Sequence, residues 1–212
     1  MAVLHKDENI EIRKIVTGDY ENNAYLVVCP RTNESVIIDA PAEPERVLEQ
    51  AKDTNVQAVL FTHTHFDHID GTKALKDALG VPLVVHPDDE SELPVKADSH
   101  FEDGGRFSFG NITFKTIHNP GHTPGATSLL WGKHLFSGDT LFPGGPGYTT
   151  SPENFRQILA NVESKLLVLD DDINIYPGHG GEGVLGDGKR LHAAFKSRSH
   201  PDDIHGHVSW DS

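Results

Sequence analysis

The junction that most constrains this chain is the apolar run Gln57–Thr62 leading straight into Thr62-His63-Thr64-His65-Phe66-Asp67-His68. Ala58-Val59-Leu60-Phe61 reads as the centre of a buried strand. In an extended chain, side chains two apart point the same way. His63, His65 and Asp67 therefore leave the strand end on one side, and His68 follows as the chain turns toward the next helix. Three imidazoles and a carboxylate this close together suit a borderline cation such as zinc. Four ligands from one short loop would crowd a single ion, whereas two adjacent ions can share them and draw the rest of each shell from elsewhere.

Strand signals surround this junction. Ile10–Val16 alternates apolar and polar residues, and Ala24–Val28 and Val36–Ile38 are short apolar runs flanked by Asn, Pro and Asp. Pro44–Lys52 and Gly71–Leu79 carry apolar residues at helical spacing, the second stopped by Gly80. Leu83–Val85 is a further strand, and Asp88-Asp89-Glu90 reads as a solvated turn or helix start. Phe107–Phe109, Ile112–His118, Ala126–Trp131 and His134–Ser137 form a second strand set. Ser151-Pro152-Glu153 opens a helix with a hydroxyl cap, Pro at the first position and an acid at the positive end. Phe155, Ile158, Leu159 and Val162 give that helix an apolar stripe. A strand, Ile173–Tyr176, and a helix, Lys189–Lys196, close the pattern. Residues 1–197 are expected to form one domain, with two sheets face to face and helices outside, and 198–212 a polar, His-rich tail.

Composition narrows the function. Lys+Arg is 18 against Asp+Glu 32, a net charge of −14, so nucleic acid and anionic membranes are not expected partners. The single cysteine, Cys29, allows neither an internal disulfide nor a thiolate zinc cluster. The N-terminus shows no apolar leader and no run is long enough to span a membrane, so a soluble cytoplasmic protein with a small-molecule substrate is expected.

Fourteen histidines would be scattered surface choices unless they follow a pattern, and several do. His122 lies in Pro120-Gly121-His122-Thr123-Pro124-Gly125, Asp139 in Ser137-Gly138-Asp139-Thr140, and His179 in Pro177-Gly178-His179-Gly180. Each follows an apolar strand, and each is preceded by glycine, which permits the sharp backbone needed in a crowded site. His86, His118, His134, His192, His200, His205 and His207 carry no motif and read as structural or surface residues.

These motifs resemble the metallo-β-lactamase superfamily, and within it the glyoxalase II-like branch. The resemblance runs from Ile10 to about Lys196 and rests on His63-x-His65-x-Asp67-His68, Gly121-His122-Thr123, Gly138-Asp139-Thr140 and Gly178-His179-Gly180. It implies an α/β fold, a four-layer αββα sandwich. It also implies that His63, His65 and His122 hold a first metal and Asp67, His68 and His179 a second, with Asp139 bridging both. Two zinc ions are the expected cofactors. Such a pair brings the pKa of a bound water to about 7 and polarises a carbonyl, so hydroxide attacks an acyl carbon without a serine nucleophile. No Gly-x-Ser-x-Gly is present. The expected activity is hydrolysis of a thioester, ester or lactone, with Asp67 also orienting the hydroxide.

Departures from the pattern bear on substrate. Asp139 sets the chain apart from the β-lactamase branches proper, which lack a bridging Asp there, and His65 from flavodiiron proteins, which have Glu. Glyoxalase II carries a C-terminal helical region that helps bind glutathione, and this chain ends about where that region would begin. Leu141-Phe142-Pro143-Gly144-Gly145-Pro146-Gly147-Tyr148 also lacks the Gly-Arg usual after that motif. Both weigh against glutathione thioesters. Tyr148 replaces that Arg and is a candidate hydrogen-bond donor to substrate, Phe142 and Phe66 are candidates for an apolar pocket, and Asp39 for orienting a ligand histidine. The alternative is a persulfide dioxygenase-like enzyme, whose relatives carry a similar motif set but use one Fe2+ at the first site.

Overall fold

The computed structural model describes residues 2–211. One sheet runs β1 (Ala2–Lys6), β2 (Glu11–Thr17), β3 (Asn22–Val28), β4 (Glu34–Ile38), β5 (Asn55–Leu60), β6 (Leu83–Val85) and β7 (Ser99–His100) in spatial order. Its first four strands are antiparallel and its last three join in parallel. The helices α1 (Pro44–Ala51), α2 (Phe66–Ile69) and α3 (Thr72–Leu79) belong to its connections. The second sheet contains β8 (Arg106–Phe109), β9 (Ile112–His118), β10 (Thr127–Trp131) and β11 (His134–Gly138). A two-strand ladder, β12 (Leu141–Phe142) with β13 (Gly145–Pro146), and helix α4 (Pro152–Asn161) follow. The chain then returns as β14 (Asn174–Pro177), parallel to β11, and β15 (Gly183–Val184), and continues into α5 (Leu185–Lys196).

The period of two along each strand builds the layers. In β3, Tyr25 and Val27 face the core between the sheets while Ala24, Leu26 and Val28 face the layer holding α1 and α3. In β4, Val36 and Ile38 point one way and Ile37 the other, and β5 repeats this with Ala58 and Leu60 against Val59. The second sheet does the same: Phe136 and Tyr176 turn inward, and Leu135 and Ile175 turn toward α4 and α5. The result is the expected αββα sandwich. Strands apolar on both faces must be covered on both faces. Ser151 caps α4 as its sequence implies, its hydroxyl accepting from the Asn154 N–H at 3.2 Å.

Two readings change. Asp88-Asp89-Glu90 forms a 3-10 turn, Pro87–Glu92, but its central residue is not solvated. Asp89 is buried and accepts from Thr123 Oγ1 at 2.7 Å and the Gly125 N–H at 2.6 Å. Strand β1 has no counterpart in the sequence reading. Residues 198–211 pack onto the α4/α5 side, where Trp210 is fully buried in the apolar layer between the second sheet and these helices, with Ile204 and Val208 beside it. No helix among the described residues is long and apolar enough to cross a membrane.

Candidate metal centre

The motif residues meet at one end of the sandwich, brought there by loops from both sheets. The segment after β5 supplies His63, His65, Asp67 and His68, the last two on the single turn α2. The loop from β9 to β10 supplies His122, the end of β11 leads to Asp139, and the end of β14 leads to His179. Glycine is required by geometry at two of these points. Gly121 has φ 138°, and a Cβ there would lie 2.5 Å from the backbone N of Ile158 on α4. At Gly178 a Cβ would lie 2.1 Å from Asp139 Oδ1 and 2.6 Å from His68 Cε1, inside the space where the site must close.

Two donor sets form. The donor atoms of His63, His65 and His122 lie within 4.8 Å of one another, and so do those of Asp67, His68 and His179. Asp139 stands between them: Oδ2 is 3.6 Å from His122 Nε2 and 3.5 Å from His179 Nε2, and Oδ1 is 3.6 Å from His68 Nε2. These spacings are long for hydrogen bonds. They match the roughly 3.3 Å between two ligands that each sit about 2.0–2.1 Å from one tetrahedral zinc.

The tautomers lead to the same conclusion. His63 Nδ1 donates to Thr62 Oγ1 at 3.1 Å, whose own proton goes to Asp39 Oδ2 at 2.8 Å. His68 Nδ1 donates to Asp39 Oδ2 at 3.1 Å, His122 Nδ1 to the Tyr148 carbonyl at 2.8 Å, and His179 Nδ1 to the Tyr20 carbonyl at 2.9 Å. In all four rings Nδ1 is held by a local acceptor, which leaves Nε2 facing the centre, and the Nε2 atoms of His68, His122 and His179 lie 3.5–3.6 Å from Asp139. His68 Nε2 and His179 Nε2 are only 3.2 Å apart. Two lone pairs that close repel unless a proton or a cation lies between them. Among the described residues, His63 Nε2, His122 Nε2 and Asp139 Oδ1 are buried with no hydrogen-bond partner. Buried polar atoms are rarely left so, and a cation between them supplies the missing partner. The donor set therefore fits metal.

Electrostatics separates the two sets. Burial pushes His63 well down and also lowers His65 and His122, so these three are neutral and ready to donate a lone pair. Burial opposes charge on His68 too, but Asp139, Asp39 and Asp67 outweigh it and raise His68 to about 9. His179 rises against its burial because it faces Asp67. Asp67, despite burial, is held well below the usual carboxylate range by His179 and by Asn22, whose Nδ2 donates at 2.9 Å.

Several supporting residues carry no motif. Asp39, at φ 63°, also accepts the Thr62 N–H at 2.8 Å, and so fixes the strand end and two ligand histidines together. Asn23 Nδ2 donates to the carbonyls of Pro177 and Gly180 at 2.9 and 3.0 Å, and Tyr25 Oη to Pro177 at 2.7 Å. These bonds hold the His179 loop. Asp89 holds the His122 loop through Thr123 and Gly125. Polar residues opening an apolar strand, as in Asn22-Asn23, were the available signal for the first group.

A cavity of about 560 Å³ opens on Asp67, Asp139 and His179, and its walls include Phe142, Tyr148 and His207. Phe66 lies outside that wall and packs edge-on to Tyr20, with ring centres 5.2 Å apart. His86, Asp88 and His118 also gather, but the two rings stack at 3.8 Å with planes 11° apart. Their lone pairs run in nearly parallel planes, and His118 Nε2 already donates to the Pro124 carbonyl at 2.8 Å. The other histidines without a motif lie outside the centre.

A profile of the metallo-beta-lactamase superfamily matches residues 17–179, from the end of β2 to the last motif histidine. The chain belongs to that superfamily. Hydroxyacylglutathione hydrolase GloC of Haemophilus influenzae is 31% identical over 214 residues, covering 90% of this chain and 100% of its own. Among solved structures, ETHE1 from Myxococcus xanthus superposes with a TM-score of 0.79 at 26% identity, covering 89% of this chain and 85% of that one. TTHA1623 in a di-iron-bound form gives 0.73 at 32% identity, covering 84% and 97%. This superfamily member is a metallo-hydrolase with glyoxalase II-like relatives and His/Asp clusters able to bind metal.

Proposed function

We propose that the chain is a dinuclear zinc hydrolase of a thioester, ester or lactone. His63, His65 and His122 would hold one ion, Asp67, His68 and His179 the other, and Asp139 both. The observation that carries this reading is the second donor set. There His68 Nε2 and His179 Nε2 face each other at 3.2 Å beside Asp67 and Asp139, a cluster of nitrogen and oxygen donors that a second ion would fill. Zinc held by these residues would supply a water of lowered pKa and polarisation of the acyl carbonyl. The chain's own residues do the rest. Asp67, fixed by Asn22, accepts a hydrogen bond from the attacking water and aims it. Tyr148, on the cavity wall, donates a hydrogen bond from its hydroxyl to the substrate oxygen that gathers charge. One water is consumed, the C–S or C–O bond breaks, and an acid and a thiol or alcohol leave. The small-molecule substrate and a cytoplasmic setting agree with the −14 charge and the lone buried Cys29.

The test is the metal content of protein purified without added metal, by elemental mass spectrometry, alongside hydrolysis of a thioester and lactone panel. About two zinc per chain with turnover supports the reading. One iron per chain with oxygen consumption on a persulfide overturns it in favour of the dioxygenase-like alternative.

A further inference from the structure

We infer that the cavity beside the metal centre selects substrates whose group beyond the scissile bond is uncharged and apolar, and that the C-terminal segment, through His207 and Val208, sets this selection. The inference rests on the hydrolase reading above and adds the chemical class of substrate.

Three observations carry it. The first is the distribution of aromatic surface. Among the described residues, the only exposed Phe, Tyr or Trp side chains are Tyr20 (61%), Phe66 (64%) and Tyr148 (43%), and all three flank the centre. Exposed apolar surface gathered at one place marks a binding site. The second is charge. No Lys or Arg lines this cavity or the adjoining groove past His65 and His122, and that groove carries Asp88 and Glu92. Lys14, on the flank of the His179 loop, is already committed to Glu182 and the Gly180 carbonyl, both at 2.7 Å. A thiol bearing carboxylates, such as glutathione, would bring them to walls with no cation to receive them. The third is the segment itself. Gly206 pairs with Thr149 in both directions, and the Trp210 N–H donates to the Gly144 carbonyl at 2.8 Å. The buried Trp210 anchors this strap, and Arg198 Nη2 holds its carbonyl at 2.8 Å. Between those fastenings His207 and Val208 complete the cavity wall, with the His207 ring 4.9 Å from that of Tyr148.

The experiment compares kcat/KM, on zinc-loaded protein, for two thioesters that share one acyl group. One carries glutathione and the other benzyl mercaptan. The expected result is a preference of about tenfold or more for the benzyl thioester. Equal rates, or preference for the glutathione thioester, would overturn the inference while leaving the hydrolase reading intact. Turnover of neither, nor of any ester or lactone, would remove both. The wall is tested by His207→Arg, a change at an exposed position. It should move the ratio roughly two- to fivefold toward glutathione, the scale of one exposed charge pair. Val208→Arg tests the same wall from the neighbouring position should the first variant fold poorly. An unchanged ratio in both folded variants would overturn the role given to the segment.

Discussion

At the scale of single residues, the centre depends on atoms that do not touch the ions. Asp39 receives two protons from the strand end and one from His68, so it sets both the tautomer and the tilt of that ring. Asp39→Asn keeps the volume but places an amide where two hydrogen bonds need an acceptor. Metal affinity should fall about 10–100-fold, read by competition with a coloured chelator, with far-ultraviolet dichroism unchanged. An affinity equal to wild type would show that His68 is oriented by packing alone. Gly178→Ala is sharper, since its Cβ would fall 2.1 Å from Asp139 Oδ1. Either the bridging carboxylate or the loop must move, and bound metal per chain should drop below one.

At the scale of elements, each ligand hangs on a strand end, and each loop is braced by a buried polar contact from elsewhere. The His122 loop rests on the 3-10 turn through Asp89. Asp89→Ala leaves the Thr123 hydroxyl and the Gly125 N–H without their acceptor. Chemical denaturation should show a loss of about 1–3 kcal/mol, with metal content falling in parallel. A loss of stability with metal content unchanged would mean that His122 is held by α4 instead. The strands and ligand motifs could be read from sequence because both depend on short-range pattern: apolar alternation, then His and Asp after Gly. Asp89 could not, because an acidic triplet looks solvated until the Thr123–Gly125 loop folds over it. Strand β1 was equally hidden: it is an edge strand with mostly exposed side chains, so no buried face imposes alternation. His207 and Trp210 belong with these, since their positions depend on where a tail without periodicity docks.

At the scale of the whole molecule, the centre joins the two halves of the sandwich. One sheet contributes His63, His65, Asp67 and His68, and the other contributes His122, Asp139 and His179. Bound metal therefore ties the sheets together and should stabilise the fold by mass action. The pH dependence has a definite sign. Without metal, His68 is raised from an ordinary 6.5 to about 9 by the surrounding carboxylates. A raised histidine contributes stability that is fully present below pH 6.5 and is lost as pH rises through about 9. Metal requires the same ring as a free lone pair, so the ion must displace that proton, and binding strengthens over the same window. The metal-stripped protein should therefore lose thermal stability from pH 6.5 to 9 relative to the loaded protein, and the gap between their Tm values should widen. Calorimetric titration at pH 7.5 in buffers of different ionisation heat should show about one proton released per chain as the second site fills. A gap that narrows with pH, or metal binding without proton release, would mean that His68 is already neutral in the metal-free protein and that the carboxylates around it do not hold the site open by charge.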